Sequence, residues 1–205
     1  MQTAGSWIKG SVRQWTIVSL MFSLLVCGTM IVAHPVYYEF EAPGEMIPMR
    51  EIGINSSVHF VTVYSGITES WLDRYVTEWS LDDDEAVITR INSYYAKYAI
   101  DWEEQSEYRE HTITHAFDAV IGGRSDSSVE TENHGRKLDA ILSNTIDFYG
   151  DSMGLMVAIG LHEELNGLDF SAAGQYVIAG TGTIEADQSV GSIAGVEHKL
   201  ILAER

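Results

Sequence analysis

Cysteine occurs once in the 205 residues, at Cys27, so no intramolecular disulfide can form and packing alone must hold the fold. Basic residues are also scarce, with 12 Lys+Arg against 30 Asp+Glu and a formal net charge of -18 at pH 7. Lys9 and Arg13 precede residue 33 and every acidic residue follows it, so the portion beyond carries 10 minus 30, or -20. That balance argues against nucleic acid and anionic lipid headgroups as its partners and leaves a solvated acidic surface. No GxxxxGK[ST] phosphate loop is present, so ATP is not expected to be used. Metal motifs are missing too. His162-Glu163-Glu164 fails as a zincin helix because Asn166 stands where the second histidine belongs, and Asp82-Asp83-Asp84-Glu85 lacks the glycine and distal glutamate of a calcium loop. His111 and His115 share an i, i+4 spacing but have no evident third ligand, so neither metal nor cofactor is expected. No internal repeat is visible.

Against these absences stands one long apolar run. Trp15 to Ala33 is 19 consecutive uncharged residues, enough to cross a bilayer as a helix. Lys9 and Arg13 before it, with no basic residue until Arg50, place the N-terminus in the cytoplasm and the rest outside. Cleavage as a signal peptide is the rival reading, but Ile31 and Ala33 make a poor small-x-small site. The expected organisation is a cytoplasmic tail over 1–14, a transmembrane helix over 15–33, and an extracytoplasmic strand and helical region over 34–121. A linker or loop follows over 122–137, then a further domain over 138–205.

Within the third segment, Pro35 to Glu41 reads as extended and Pro43-Gly44 as a turn. Ser57 to Tyr64 alternates like a strand. Three helical patterns follow. The first carries Trp71, Leu72, Tyr75, Val76 and Trp79, an aromatic stripe whose helical spacing favours the core over the alternative of a peptide-docking surface; the second opens at Asp82 and carries Val87, Ile91, Tyr94 and Tyr98; the third runs from Asp101 to Val120. The Gly-, Ser- and charge-rich stretch from Gly122 to Lys137 reads as a connection.

The chemistry-bearing segment is Gly150 to Lys199. A glycine-flanked serine, Gly150-Asp151-Ser152-Met153-Gly154, is followed 47 residues later by Lys199 in Ala194-Gly195-Val196-Glu197-His198-Lys199. A serine hydroxyl needs a base to become nucleophilic, and lysine serves only as the neutral amine. Its ordinary pKa of about 10.4 must therefore be lowered by burial, which Leu200, Ile201 and Leu202 on one side and Ile193 and Val196 on the other allow. Ser152 leads into an apolar helical pattern (Leu155, Met156, Ala158, Ile159), where backbone N–H groups can hold an oxyanion.

With Tyr176-Val177-Ile178-Ala179-Gly180-Thr181-Gly182-Thr183-Ile184 between them, this serine and lysine resemble the proteolytic domain of the Lon family, in particular its membrane-anchored, ATPase-free branch. The branch pattern is roughly GGPSAGL, then AGTGTI, then GGVxxK; the likeness is close over 145–205 and looser over 35–120. It implies an α+β fold, namely a mixed α/β Lon-type proteolytic domain behind the N-terminal transmembrane helix and the strand and helix region. It further implies Ser152 as nucleophile, Lys199 as general base and Thr181 as the residue orienting the lysine amine. The substrates would be peptides or proteins, and the enzyme a single-pass cell-membrane serine endopeptidase working without ATP. Family members continue beyond the lysine with a further strand and helix, so the fold over 138–205 is expected to be incomplete or differently finished. A PDZ module, usual in the branch, has no room in 122–137. Asp151 and Met153 replace a proline and a small residue. The first is expected to keep the lysine protonated, the second to narrow the cleft.

Two other readings fit the same residues. GDSMG satisfies the GxSxG elbow of α/β-hydrolases, and Ser152, Asp187 and His198 follow in that fold's order. A catalytically inactive Lon-like surface or scaffold protein is the other.

Overall fold

The computed structural model describes residues 5–81, 85–99, 102–122 and 128–204. The chain is α+β. Helix α1 spans Gly5–Ala33, strand β1 Tyr37–Pro48 and β2 Val58–Thr68, with a 3-10 turn at Met49–Ile52 between the strands. Then come α2 (Trp71–Leu81), β3 (Val87–Ile91), α3 (Ser93–Ala99), α4 (Trp102–Ile121), α5 (Ser128–Asn144) and α6 (Gly154–Asn166). The short strands β4 (Ile178–Gly180), β5 (Thr183–Ile184) and β6 (Val190–Gly191) lead to α7 (Val196–Glu204).

The main sheet has the order β3-β1-β2-β4. β1 pairs antiparallel with both β2 and β3, and β2 pairs parallel with β4 through Val58↔Ile178 and Phe60↔Gly180. β5 and β6 form a separate hairpin. A continuous core joins Met49, Ile52, Val58 and Phe60 to Ile113 and Phe117 of α4, Ile141 of α5 and Met156, Val157 and Leu161 of α6. Phe60 meets the ring of Phe148 edge-on at 5.2 Å between centroids. On the opposite side of β2, Val63 packs under Gly195 at the start of α7. The sheet is thus covered on both faces at its centre, which is why Phe60 and Val61 are both buried.

Several expectations are corrected. The second helical pattern is divided: residues 87–91, mostly β-branched, form β3 because hydrogen bonding to β1 decides in favour of a strand, while Tyr94 and Tyr98 lie in helix α3. Residues 82–84 of its acidic opening lie outside the described residues. Pro43-Gly44 does not end β1 but marks a register shift within it, where Gly44 lies against Thr62 so closely that a Cβ could not fit. The stretch expected as a linker over 122–137 is largely helical, since α5 begins at Ser128; residues 123–127 lie outside the described residues. Leu138, Ile141 and Leu142 give α5 an apolar stripe packed into the shared core, and this outweighs its Gly135, worth about 1 kcal/mol against a helix. The core therefore draws on both sides of the expected 122–137 boundary. Finally, the stripe of α2 is exposed, not core: no residue of that helix is buried.

The helix expected over 15–33 lies within α1, whose apolar side chains such as Leu20, Phe22 and Leu25 are exposed. Its side chains are described from Gln14 to Met30, and among the described residues no helix is long and apolar enough to cross a membrane.

Candidate functional site

Ser152 stands in the turn that opens α6. Gly150 takes a positive φ of 80°, which suits glycine, and its N–H donates to the Gln105 carbonyl at 3.3 Å, tying the turn to α4. Ser152 lies one residue before the helix cap, Met153. Two strong contacts then lock this turn to the segment after β4. Gly182 N–H donates to the Ser152 carbonyl at 2.7 Å, and Leu155 N–H donates to the Gly182 carbonyl at 2.8 Å. Small residues permit the approach. A Cβ on Gly154 would lie 2.0 Å from Thr112 Oγ1, and one on Gly182 2.9 Å from the Leu155 side chain. Thr112 Oγ1 in turn accepts from Ile184 N–H at 3.1 Å and bonds Thr183 Oγ1 at 3.1 Å, holding β5 on α4.

Lys199 reaches this junction from α7. Its side chain is 6% exposed, and its Nζ donates to Thr181 Oγ1 at 3.0 Å. The Thr181 hydroxyl passes its own hydrogen to the Ser152 carbonyl, also at 3.0 Å. Thr181 therefore links the Lys199 amine to the backbone of Ser152. Among the described residues, neither the Ser152 hydroxyl nor any further atom is hydrogen-bonded to the Lys199 amine beyond Thr181, so its remaining positions are open. Burial pushes the amine below its ordinary pKa, and the negative charge of Asp151 works against it.

The helix end is less available than its position suggests. Gly154 N–H is taken by the Asp151 carbonyl at 3.2 Å and Leu155 N–H by Gly182, which leaves the N–H groups of Ser152 and Met153 as donors without a partner among the described residues. Met153 does not narrow a cleft. Its side chain is buried in the core with Met156 and Val157, because the turn aims it inward.

The other candidates do not assemble. His198 is buried in α7, with Nε2 3.7 Å from the Glu41 carboxylate on β1 and Nδ1 unpartnered, while Asp187 receives the Ser189 N–H at 2.9 Å in the exposed β5–β6 turn. Nothing pairs Asp187 with His198. The rings of His111 and His115 lie side by side at 6.1 Å, and among the described residues no three His, Cys, Asp or Glu side chains gather as a metal site.

Two supports escaped the sequence reading. Arg109 is buried and its Nη1 donates to the carbonyls of Thr145, Ile146 and Phe148 at 3.2, 3.0 and 3.3 Å, capping the end of α5 and fixing the approach to Ser152. Glu163, on the inner side of α6, accepts from Ser56 Oγ and Ser57 Oγ, from Ser57 N–H at 2.9 Å and from Phe170 N–H at 2.8 Å. Burial pushes its carboxyl up, but these donors together outweigh burial and hold it below the ordinary carboxylate range. It clamps the entry to β2 against the loop that leads to β4 and Thr181.

No family model, no curated protein and no solved structure matches this chain. What defines the site is its geometry: a serine before a helix, and a buried lysine joined to its backbone through a threonine hydroxyl.

Proposed function

We propose that this protein is a membrane-anchored, ATP-independent serine endopeptidase of Lon-like type, with Ser152 as nucleophile, Lys199 as general base and Thr181 as its orienting partner. The observation that carries the reading is a lysine amine that is buried, lowered in pKa and held at 3.0 Å by a hydroxyl bonded to the candidate nucleophile's own carbonyl. Buried lysines are costly, and one placed beside a serine without a salt-bridge partner suits a neutral base. In the proposed reaction, neutral Lys199 takes the Ser152 hydroxyl proton as Oγ attacks the peptide carbonyl. The oxyanion faces the free N–H groups of Ser152 and Met153; collapse expels the amine with the proton from Lys199, and water then cleaves the ester by the same base.

The anchor is assigned to the uncharged run 15–33 in α1, with Lys9 and Arg13 on the cytoplasmic side and the folded part outside the cell membrane. Peptide or protein segments are the proposed substrates. The test is hydrolysis of an unstructured protein by wild type, Ser152→Ala, Lys199→Ala and His198→Ala. Loss in the first two variants and retention in the third is expected; activity surviving in Lys199→Ala would overturn the dyad. A catalytically inactive scaffold is the second reading, favoured by the charge of Asp151 beside the amine and by the absence of a direct Ser152–Lys199 hydrogen bond. Under it no variant changes anything, because wild type is itself inert.

A further inference from the structure

Helix α2 is mounted inside out. Its polar side faces the protein, where the Arg74 guanidinium lies 5.1 Å from the centre of the Tyr38 ring and pairs with Glu78 at 3.1 Å. Trp71, Leu72, Tyr75, Val76 and Trp79 fall within one arc of the helix, and all are exposed, the three aromatics at 52, 59 and 79%. No charged residue lies in that arc. The Trp71 and Tyr75 rings stack at 6.0 Å, which makes them one continuous apolar surface.

Its place in the fold says what covers it. Val36, three residues beyond the end of α1, donates its N–H to the carbonyl of Glu69, two residues before α2, at 3.2 Å. The first turn of α2 is therefore fastened to the point where α1 ends, and the two helices touch. At the same edge of the sheet, Tyr37 pairs with Ile91, which places exposed Tyr94 and Tyr95 of α3 beside them. Trp and Tyr gathered at the exit of an apolar helix are the side chains that settle at a membrane–water boundary, with an apolar ring and a polar tip. A helix with one apolar and one polar side lies in that plane.

We propose that α2 lies in the outer bilayer surface, with Trp71, Tyr75 and Trp79 in the headgroup region of electrically neutral lipids. The inference rests on the anchor assigned to α1. Neutral headgroups are specified because the portion beyond residue 33 carries a formal charge of -20. One consequence concerns substrate. Gly180, next to Thr181, pairs with Phe60, eight residues along β2 from the membrane-side end at Thr68, which is roughly 25 Å of strand. With β2 rising from the bilayer, that length would hold the site away from it, where exposed segments and not membrane-embedded ones are in reach.

The full chain with Cys27→Ser, reconstituted in phosphatidylcholine vesicles, is spin-labelled at single cysteines introduced as Leu24→Cys, Tyr75→Cys, Thr77→Cys or Trp79→Cys. Collision with oxygen and with an aqueous nickel chelate reports depth. The expected result is a bilayer-buried label at 24 and a several-fold higher oxygen-to-nickel ratio at both 75 and 79 than at 77. Labels at 75 and 79 as open to nickel as 77, with 24 still buried, would overturn the interfacial helix and leave the anchor standing. Labels at 75 and 79 shielded from both reagents would mean that protein covers the stripe, and would equally overturn it. A label at 24 open to nickel would remove the anchor and this inference together.

Discussion

Replacing Thr181 by valine removes one hydroxyl with almost no change in shape, and that hydroxyl carries two hydrogen bonds at the centre of the proposed site. One holds the Lys199 amine and the other ties the segment after β4 to the Ser152 carbonyl. The carbonyl keeps its 2.7 Å bond from Gly182 N–H, so the Ser152 turn should stay folded and the loss should fall on the lysine. A net hydrogen bond contributes about 0.5–1.5 kcal/mol, so two together contribute about 1–3 kcal/mol. If both act in the transition state, kcat falls about 5- to 150-fold, since about 1.4 kcal/mol is a factor of ten. Thr181→Ser restores the hydroxyl and should recover most of the rate, with KM little changed in both variants because Thr181 is not proposed to touch substrate. The assay is steady-state peptide hydrolysis with circular dichroism to confirm folding. A folded Thr181→Val enzyme with wild-type kcat would refute the positioning role, and so would a loss confined to KM.

Asp151→Asn removes the negative charge that opposes the lowering of the Lys199 pKa, so the amine becomes neutral at lower pH and the acid limb of the pH–rate profile should move down; superimposable profiles would show that Asp151 only caps the turn. Glu163→Ala leaves the N–H groups of Ser57 and Phe170 without their acceptor and should cost about 2–4 kcal/mol in urea unfolding, whereas a loss below about 0.5 kcal/mol would mean that water replaces it without penalty. Because the folded Glu163 carboxyl is held below its ordinary value, its contribution is complete above the unfolded pKa of about 4.3 and is lost as pH falls through the lowered folded value, an acid limb that Glu163→Gln should flatten. Gly154→Ala drives a methyl onto Thr112 Oγ1, and a fall in stability of about 1–3 kcal/mol is expected on thermal unfolding; an unchanged midpoint would contradict the close approach of α6 to α4.

Much of this architecture is written in short-range pattern. The stripes of α4 and α6, the alternation of β2 and the apolar run of α1 each announce an element, and the threonine and lysine named in the sequence meet in a hydrogen bond that continues to the Ser152 backbone. What was not legible depends on partners far along the chain. Val87 and Ile91 match helical spacing as well as they match a strand, and only hydrogen bonding to β1, some 50 residues earlier, decides between them. The 128–137 stretch is polar enough to read as a connection, yet its helix is held by an apolar side that continues to Leu142 and by core partners near Met49. Met153 looked like a cleft residue because sequence gives its neighbour but not the direction of the turn. Arg109 and Glu163 bind carbonyls and hydroxyls up to 39 and 107 residues away, so no local signal could mark them. The stripe of α2 misled for the opposite reason: amphipathic spacing shows that one side is apolar, and not which surroundings it meets.

The most direct test of the proposed dyad is covalent labelling of the full-length protein with a peptidyl phosphonate, followed by mass spectrometry of the peptide that contains Ser152. An adduct at Ser152 in wild type, lost in Lys199→Ala and unaffected by His198→Ala, is the predicted result. No adduct in folded wild-type protein, or labelling that survives in Lys199→Ala, would contradict it.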